Sequence, residues 1–292
     1  MTKIDVYQDV TNRIIEALEK GLDGKFELPW HGVSQIPENA HTGKQYKGVN
    51  VPLLWVYQLT EGYQSGIWAT YKQWQDQGAQ VRKGEKSAHI VFWKMIEQEP
   101  TQDNEEQSMR MFAKWSRVFN ADQVEGFNAD DDFIPSDIGA IGAADALIDA
   151  SGADIRHDEI KAFYSPSGDF INMPPIERFK ETSDSTATEN YYSTIFHELT
   201  HWTGAKHRLD RLPSEKFSKS DYAFEELVAE LGAAMSCAST GVTALPRADH
   251  AKYIACWLKA LQDDKKFIFS ASSHAQKAVD YLYGNLENEG VH

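Results

Sequence analysis

The chain has 292 residues, of which 41% are hydrophobic and 25% charged, a composition typical of a globular protein. A net charge of −15 and only two cysteines argue against a general polyanion-binding surface, a disulfide scaffold and a zinc ribbon. With no apolar stretch of the ~18 residues that span a membrane and no signal peptide, the chain is expected to be cytoplasmic, without a membrane partner.

The expected fold class is α+β, in two domains. Residues 1–128 are predicted to form a small α+β domain with helices over 5–20, 51–59 and 68–78. A hairpin is predicted over 81–94, turning at Lys83-Gly84-Glu85, and a further strand over 109–119. The tract 97–107 is acidic and has no periodicity, which favours a loop.

Residues 129–292 are predicted to form a second, mostly helical domain with a small sheet, after a boundary marked by three aspartates at 130–132. Helices are predicted over 138–151, 187–203, 222–235, 250–263 and 272–286, and two strands within 160–173. The first 128 residues hold 14 Lys and Arg against 17 Asp and Glu, whereas the remainder holds 15 against 27. Any nucleic-acid contact is therefore expected in the first domain.

The motif His197-Glu198-Leu199-Thr200-His201 carries the strongest chemical signal. It lies in a predicted helix that begins with a capping box of Thr186 and Glu189. Since residues four apart share one helix face, His197 and His201 can bind one divalent metal, with zinc favoured and manganese as the alternative. Glu198 is then placed as general acid–base on a metal-bound water. The competing interpretation is a surface helix with solvated side chains.

A catalytic zinc site needs a third protein ligand. The segment Glu225–Glu230 looks like the Glu-x-x-Ala-acid pattern of glutamate-type zincins, which favours Glu226. Glu225 and Glu230 stay as alternatives, and a second glutamate on the same face can orient a ligating histidine. His207 fits the metzincin spacing, but that family also needs a methionine turn, and Met235 lies in a helical pattern.

Two further parts of a peptidase site have candidates in the sequence. A developing oxyanion needs a hydrogen-bond donor, and Tyr191, Tyr192 and Arg208 lie near the motif. The segment Asp169–Met173 is predicted to be an edge strand along which a peptide substrate pairs by β-addition.

Residues 44–94 interleave cations with aromatic side chains, the mixture that binds single-stranded DNA through phosphate contacts and base stacking. The candidate contact residues are Lys44, Tyr46, Lys47, Asn50, Trp68, Lys72, Trp74, Arg82, Lys83 and Lys86. Trp55 and Trp93 are instead assigned to the core, because tryptophans at helical or strand spacing are more often buried.

The two halves together resemble the ArdC-type antirestriction proteins of conjugative plasmids, which are related to the N-terminal region of the plasmid TraC primase. The resemblance runs through nearly the whole chain, and its most specific segments are Thr42–Asn50, Val81–Lys86, Val118–Gln123, His197–Gly204, Arg208–Arg211 and Glu225–Leu231. It implies a domain that binds single-stranded DNA, followed by a zincin-like metallopeptidase domain of the glutamate type. It also implies protection of incoming plasmid DNA from host restriction during conjugation.

Carried over to matching positions, the resemblance implies His197, His201 and Glu226 as metal ligands and Glu198 as the catalytic residue. Expected partners are single-stranded DNA and either a protein substrate or a restriction enzyme. Two other functions fit the sequence. One is a DNA-binding protein whose metal is only structural, and the other is an acidic mimic of DNA that inhibits restriction enzymes, since a charge of −15 suits such mimicry.

Overall fold

In a computed structural model of the chain, residues 5–23, 28, 30, 35–98, 108–127, 137–182, 185–213, 218–243 and 251–289 are described. The helices of the first half are α1 (Val6–Asp23), α2 (Asn50–Glu61) and α3 (Tyr71–Asp76). Its strands are β1 (Glu38–Asn39), β2 (Lys44–Gln45), β3 (Ile67–Ala69), β4 (Gln80–Val81), β5 (Ala88–Gln98), β6 (Ser108–Asn120) and β7 (Val124–Glu125).

Five of these strands form one sheet in the order β2-β1-β3-β6-β5. The β5–β6 pair is antiparallel and long, running from Ala88 opposite Val118 to Gln98 opposite Ser108. Helix α2 packs against α1 and against β5, and its buried face includes Leu53, Leu54 and Trp55. The burial of Trp55 confirms its assignment to the core.

The predicted hairpin over 81–94 is wrong, because β4 pairs with β7 and β5 pairs with β6. The turn at Lys83-Gly84 is present, with Gly84 at a φ of 97°. However, β6 offers a partner to all 11 residues of β5, whereas β4 has only 2. Of the predicted acidic loop, residues 97–98 end β5, and residues 99–107 lie outside the described residues.

The predicted helix over 68–78 starts too early, since Trp68 lies in β3. The Thr70 side chain accepts a hydrogen bond from the Gln73 backbone N–H at 3.3 Å, and the Thr70 N–H donates to Gln73 Oε1 at 2.9 Å. This capping box fixes the first residue of α3 at Tyr71 and leaves the preceding residues extended.

The second half contains α4 (Asp137–Ser151), α5 (Ala187–Thr203), α6 (Lys219–Thr240), α7 (Ala251–Asp263) and α8 (Phe267–Glu289). The five helices predicted there are confirmed, with α6 and α8 longer than expected. Strands β8 (Asp154–Arg156), β9 (Phe163–Ser165) and β10 (Phe170–Asn172) form a sheet in the order β8-β10-β9. Helix α6 packs against α5, α7 and α8, so it lies at the centre of this half.

The hydrophobic core is continuous between the two halves. Helix α1 packs against α7, the Thr11 hydroxyl donates to the backbone oxygen of Lys265 at 2.9 Å, and the rings of Trp30 and Trp257 lie 6.4 Å apart. The boundary predicted near residue 128 falls outside the described residues and stays a prediction. Among the helices of the described residues, none combines the length and apolarity needed to cross a membrane.

Candidate metal centre

The centre is built where α5 crosses α6. Helix α5 begins as predicted, with Thr186 accepting from the Glu189 N–H at 3.1 Å. A Cβ added at Gly232 of α6 would lie 2.5 Å from Thr200 Oγ1, so this contact requires glycine. The close approach brings the carboxylates of α6 against the histidines of α5.

Three side chains converge with geometry that fits one divalent cation. His197 Nε2 and His201 Nε2 lie 3.1 Å apart, and the Glu226 oxygens lie 3.7 Å from the first and 3.8 Å from the second. Tetrahedral coordination with bonds of ~2.0–2.1 Å places ligand atoms about 3.3 Å apart. The observed separations bracket that value, so the donor set fits the metal that the sequence predicts.

The two neighbouring glutamates contact the opposite nitrogens of the same imidazoles. Glu225 Oε1 lies 3.0 Å from His201 Nδ1, and Glu230 Oε1 lies 3.3 Å from His197 Nδ1. A carboxylate on Nδ1 holds the proton there and leaves the Nε2 lone pair for a metal. Glu226 alone of the three faces both Nε2 atoms, which favours it as third ligand and gives Glu225 and Glu230 an orienting role.

Arg211 completes the shell around Glu225. Its Nε and Nη2 atoms donate to the two carboxylate oxygens at 2.8 Å each, and Nη2 also donates to the Thr200 backbone oxygen at 2.6 Å. Burial alone would raise the pKa of Glu225, but the hydrogen bonds from Arg211 and His201 outweigh it and lower that pKa. Burial likewise disfavours the charged form of His201, but the carboxylates of Glu225, Glu198 and Glu226 together outweigh burial and raise the pKa of the imidazole.

Glu198 is buried beside the ligands, and its Oε2 accepts a hydrogen bond from the backbone N–H of Tyr164 at 2.9 Å. Tyr164 belongs to β9, which forms one edge of its described sheet. The prediction that Asp169–Met173 is an edge strand is wrong, because β10 is paired on both sides and occupies the centre. The edge beside the site is β9.

His207 does not belong to the centre. Its side chain is 63% exposed, and its Nε2 lies 3.2 Å from Asp169 Oδ2. The same aspartate pairs with Arg208, whose Nε donates to the Trp202 backbone oxygen at 2.6 Å. The metzincin alternative for the third ligand is therefore wrong, because the chain turns away from the motif after Gly204.

Two of the three oxyanion candidates, Tyr192 and Arg208, donate to other partners, and the ring of the third packs elsewhere. The Tyr192 hydroxyl donates to Asp145 at 2.6 Å, the Tyr191 ring packs on Phe179 with centroids 5.4 Å apart, and Arg208 pairs with Asp169. Sequence reasoning did not single out Tyr222, which lies beside Glu226. Burial and its hydrogen bonds with Tyr253 and Glu226 raise the pKa of the Tyr222 phenol. The spacing Tyr222, Glu226, Glu230 on one helix face was the signal that could have found it.

The residues predicted to contact DNA differ in their solvent exposure. The cations Lys44, Lys47, Lys72, Arg82, Lys83 and Lys86 are exposed. Tyr46 is half-buried, and its hydroxyl accepts from the Asn39 amide at 3.1 Å. The Asn50 amide exchanges two hydrogen bonds of 2.7 Å with the backbone of Val91, so it ties α2 to β5.

The tryptophan assignments need correction. Trp68 and Trp74 are fully buried, so bases cannot stack on them, and the Trp74 indole N–H donates to the Phe119 backbone oxygen at 3.1 Å. Trp93, predicted to be in the core, is 46% exposed. Strand alternation does not reveal which face a sheet covers, and β5 lies at the sheet edge, where a large side chain can reach solvent.

Comparison with known proteins covers both halves. Residues 4–119 match the N-terminal domain of anti-restriction factor ArdC, and residues 142–274 match the zincin-like metallopeptidase family. An uncharacterized protein of Sinorhizobium fredii, y4eC, is 40% identical over 97% of this chain and 92% of its own length. The DNA primase TraC of Escherichia coli is 36% identical over 94% of this chain, which spans 27% of the primase.

Solved structures are also similar over the whole length. The metal-free crystal structure of the antirestriction ArdC protein from plasmid R388 has a TM-score of 0.82 and 42% identity, covering 98% of this chain and 99% of that one. The Mn(II)-bound structure of the same protein has a TM-score of 0.79 and 41% identity over the same shares.

Proposed function

The chain belongs to the ArdC family of antirestriction proteins, and we propose that it binds single-stranded DNA and carries a metal-dependent peptidase centre that together protect incoming plasmid DNA from host restriction during conjugation. In this proposal the first half, up to residue 128, supplies DNA binding, and the remainder supplies the metal centre. The matches to the ArdC N-terminal domain and to the zincin-like metallopeptidases support that division.

In this proposal His197, His201 and Glu226 hold one divalent metal, which when bound acidifies water and polarises a carbonyl group. Glu198 accepts and returns the proton on its carboxylate, and the Tyr164 N–H holds that carboxylate in place through Oε2. Glu225 and Glu230 keep the two imidazoles aimed at the metal. At equal availability a site of two imidazoles and one carboxylate binds zinc more tightly than manganese.

The DNA-binding proposal rests on the charge distribution of the first half. Exposed cations lie on or next to its short elements, among them Lys44 in β2, Lys72 in α3 and Lys83 in the turn after β4. They would contact phosphates, and such contacts are sequence-independent and weaken with salt. The family membership of this half supports the same conclusion.

The observation that carries the peptidase proposal is the convergence of His197, His201 and Glu226 beside Glu198. The test is Glu198→Gln, measured for metal content, for binding of single-stranded oligonucleotides and for plasmid establishment in a restricting host. We expect metal and DNA binding to persist and protection to fail. A peptidase role is refuted if protection persists in a variant that lacks the general base.

One observation favours a second candidate, in which the metal only stabilises the fold. The side chains of His197, Glu226 and His201 are only 3%, 8% and 14% exposed, so access for a polypeptide is narrow. In that case Glu198→Gln protects DNA as well as the parent protein, while Glu226→Gln lowers both stability and protection.

A further inference from the structure

A groove runs along one face of α8 where the two halves of the molecule meet. Part of it is a cavity of about 430 Å³, whose lining includes Lys47, Trp93, Phe269 and Lys277. A second cavity of about 380 Å³ adjoins it and shares Lys47 and Gln276. Volumes of this size are typical of sites for small molecules. We call this feature the α8 groove.

Trp93 gives the α8 groove an aromatic wall. All eight tryptophans lie in the described part of the chain, and among them only Trp93 is substantially exposed to solvent. Its ring lies 6.1 Å from the Tyr7 ring, which in turn lies 4.7 Å from Phe269. Phe92 is exposed to a similar extent, but successive residues of a strand point to opposite faces, and Phe92 does not line the groove.

The rim of the α8 groove is basic although the chain as a whole carries −15. Lys47 and Lys277 line it, and Lys266 Nζ lies 5.5 Å from the Tyr7 ring. Gly48 has a φ of 60°, and its N–H donates to Gln276 at 3.1 Å, so this turn presents Lys47 to α8. Lys47 pairs there with Asp280 at 3.2 Å, an exposed contact that a phosphate can replace.

We propose that the α8 groove binds an unpaired base of single-stranded DNA, stacked on Trp93, with the flanking phosphates on Lys47 and Lys277. An aromatic face between cations is the arrangement that holds unpaired bases, whereas bases within a duplex are already stacked on each other. The inference rests on the proposed DNA binding and adds to it, because it places the stacking contact on Trp93 and extends the binding surface from the first half onto α8.

The test uses the full chain and a fluorescent oligothymidylate, with affinity measured by anisotropy and with quenching of tryptophan fluorescence as a second readout. Loss of one stacked base lowers affinity about 5- to 150-fold, which is the effect expected for Trp93→Ala. Trp93→Phe should keep most of the affinity but lose most of the quenching. Phe92→Ala is the matched control, because it removes an equally exposed ring from the other face of β5, and it should bind like the parent protein.

The phosphate contacts are tested by salt dependence. Since each contact with single-stranded DNA contributes about 0.7 to the slope of log affinity against log salt, Lys277→Ala should reduce that slope by about 0.7. Lys259→Ala, an exposed lysine of α7, should leave the slope unchanged.

The outcomes separate the two levels of the proposal. No binding by the parent protein at low salt would refute the proposed DNA binding itself. Binding by the parent protein with equal affinity in Trp93→Ala would refute the α8 groove alone. If Trp93→Ala instead abolished a concentration-dependent dimer with DNA affinity unchanged, the groove would be a contact between two copies of the chain and the proposal would be wrong.

Discussion

The contact most open to a quantitative test is the buried pair of Arg211 and Glu225. The two side chains are 3% and 6% exposed, and Arg211 donates three hydrogen bonds of 2.6 to 2.8 Å to Glu225 and to the Thr200 backbone. Arg211→Met keeps the aliphatic bulk and removes the charge. It leaves the buried Glu225 carboxylate with His201 as its hydrogen-bond partner among the described residues.

The expected loss follows from that geometry. Hydrogen bonds to charged groups contribute about 1.5–3 kcal/mol each, but part of this is recovered when water reaches the site. Breaking one side of a buried ion pair typically destabilises a protein by about 3–5 kcal/mol. We therefore expect Arg211→Met to lower the free energy of unfolding by about 3–5 kcal/mol. The double variant Arg211→Met/Glu225→Gln should recover a large part of this lost stability, because no unpaired charge is then buried.

The assay is urea unfolding of metal-free protein at pH 7, followed by circular dichroism, so that metal binding does not mask the change. Arg156→Met is the control, because Arg156 also forms a short ion pair, with Asp154 at 2.5 Å, but both side chains are about half exposed. It should change stability by only a small fraction of the Arg211 effect. A loss below about 1 kcal/mol in Arg211→Met, or no recovery in the double variant, would refute the argument that this pair is desolvated.

Three other predictions concern the same region. Gly232→Ala should destabilise the protein by about 1–3 kcal/mol in urea unfolding, because the new Cβ meets Thr200 Oγ1 at 2.5 Å. Adding Thr200→Ser, which deletes one of the contacting atoms, should restore part of the lost stability. Zinc should raise the thermal stability of the metal-free protein, and manganese at the same concentration should raise it less. Measured by calorimetry, this gain should nearly disappear in Glu226→Gln and remain complete in His207→Ala. The hydrogen bond from Arg208 lowers the pKa of Asp169 to about 2, against an ordinary value of 3.8. The stability from this ion pair is therefore complete above about pH 4 and is lost as the pH falls through 2, so Asp169→Asn should weaken the acid dependence of unfolding.

The helices of the second half and the common helix face of His197 and His201 could be predicted because their signals are local. The Thr186–Glu189 capping box marks the start of α5, and the spacing of His197 and His201 fixes their common face, whatever the rest of the chain does. The choice of Glu226 rested on the pattern of one segment. Its relation to Glu225 and Glu230 depends on the rotation of α6 against α5, which is set by the contact between Gly232 and Thr200 and cannot be read from spacing alone.

The strand partners of the first half and the exposure of its tryptophans could not be predicted for the opposite reason. Pairing of β5 with β6 rather than β4 is decided by the length of the partner strand, and β6 begins ten residues after β5 ends. Likewise Trp68 and Trp93 both lie in strands. However, β3 pairs with a strand on each side and Trp68 is buried, whereas β5 is an edge strand and Trp93 is exposed. Composition predicted a cationic and aromatic region, and only the fold separates its core rings from its exposed one.

The charges at the metal centre bear on why this half of the chain is so acidic. Glu198, Glu225, Glu226 and Glu230 are all buried, and Arg211 pairs with Glu225. Buried charges of one sign destabilise a fold strongly unless they are compensated. In the proposed metal-bound state, a divalent cation between His197, His201 and Glu226 compensates part of this negative charge. If the proposed metal binds there, removing the metal and removing Arg211 should each destabilise the α5–α6 contact, and doing both should destabilise it more than the sum of the two.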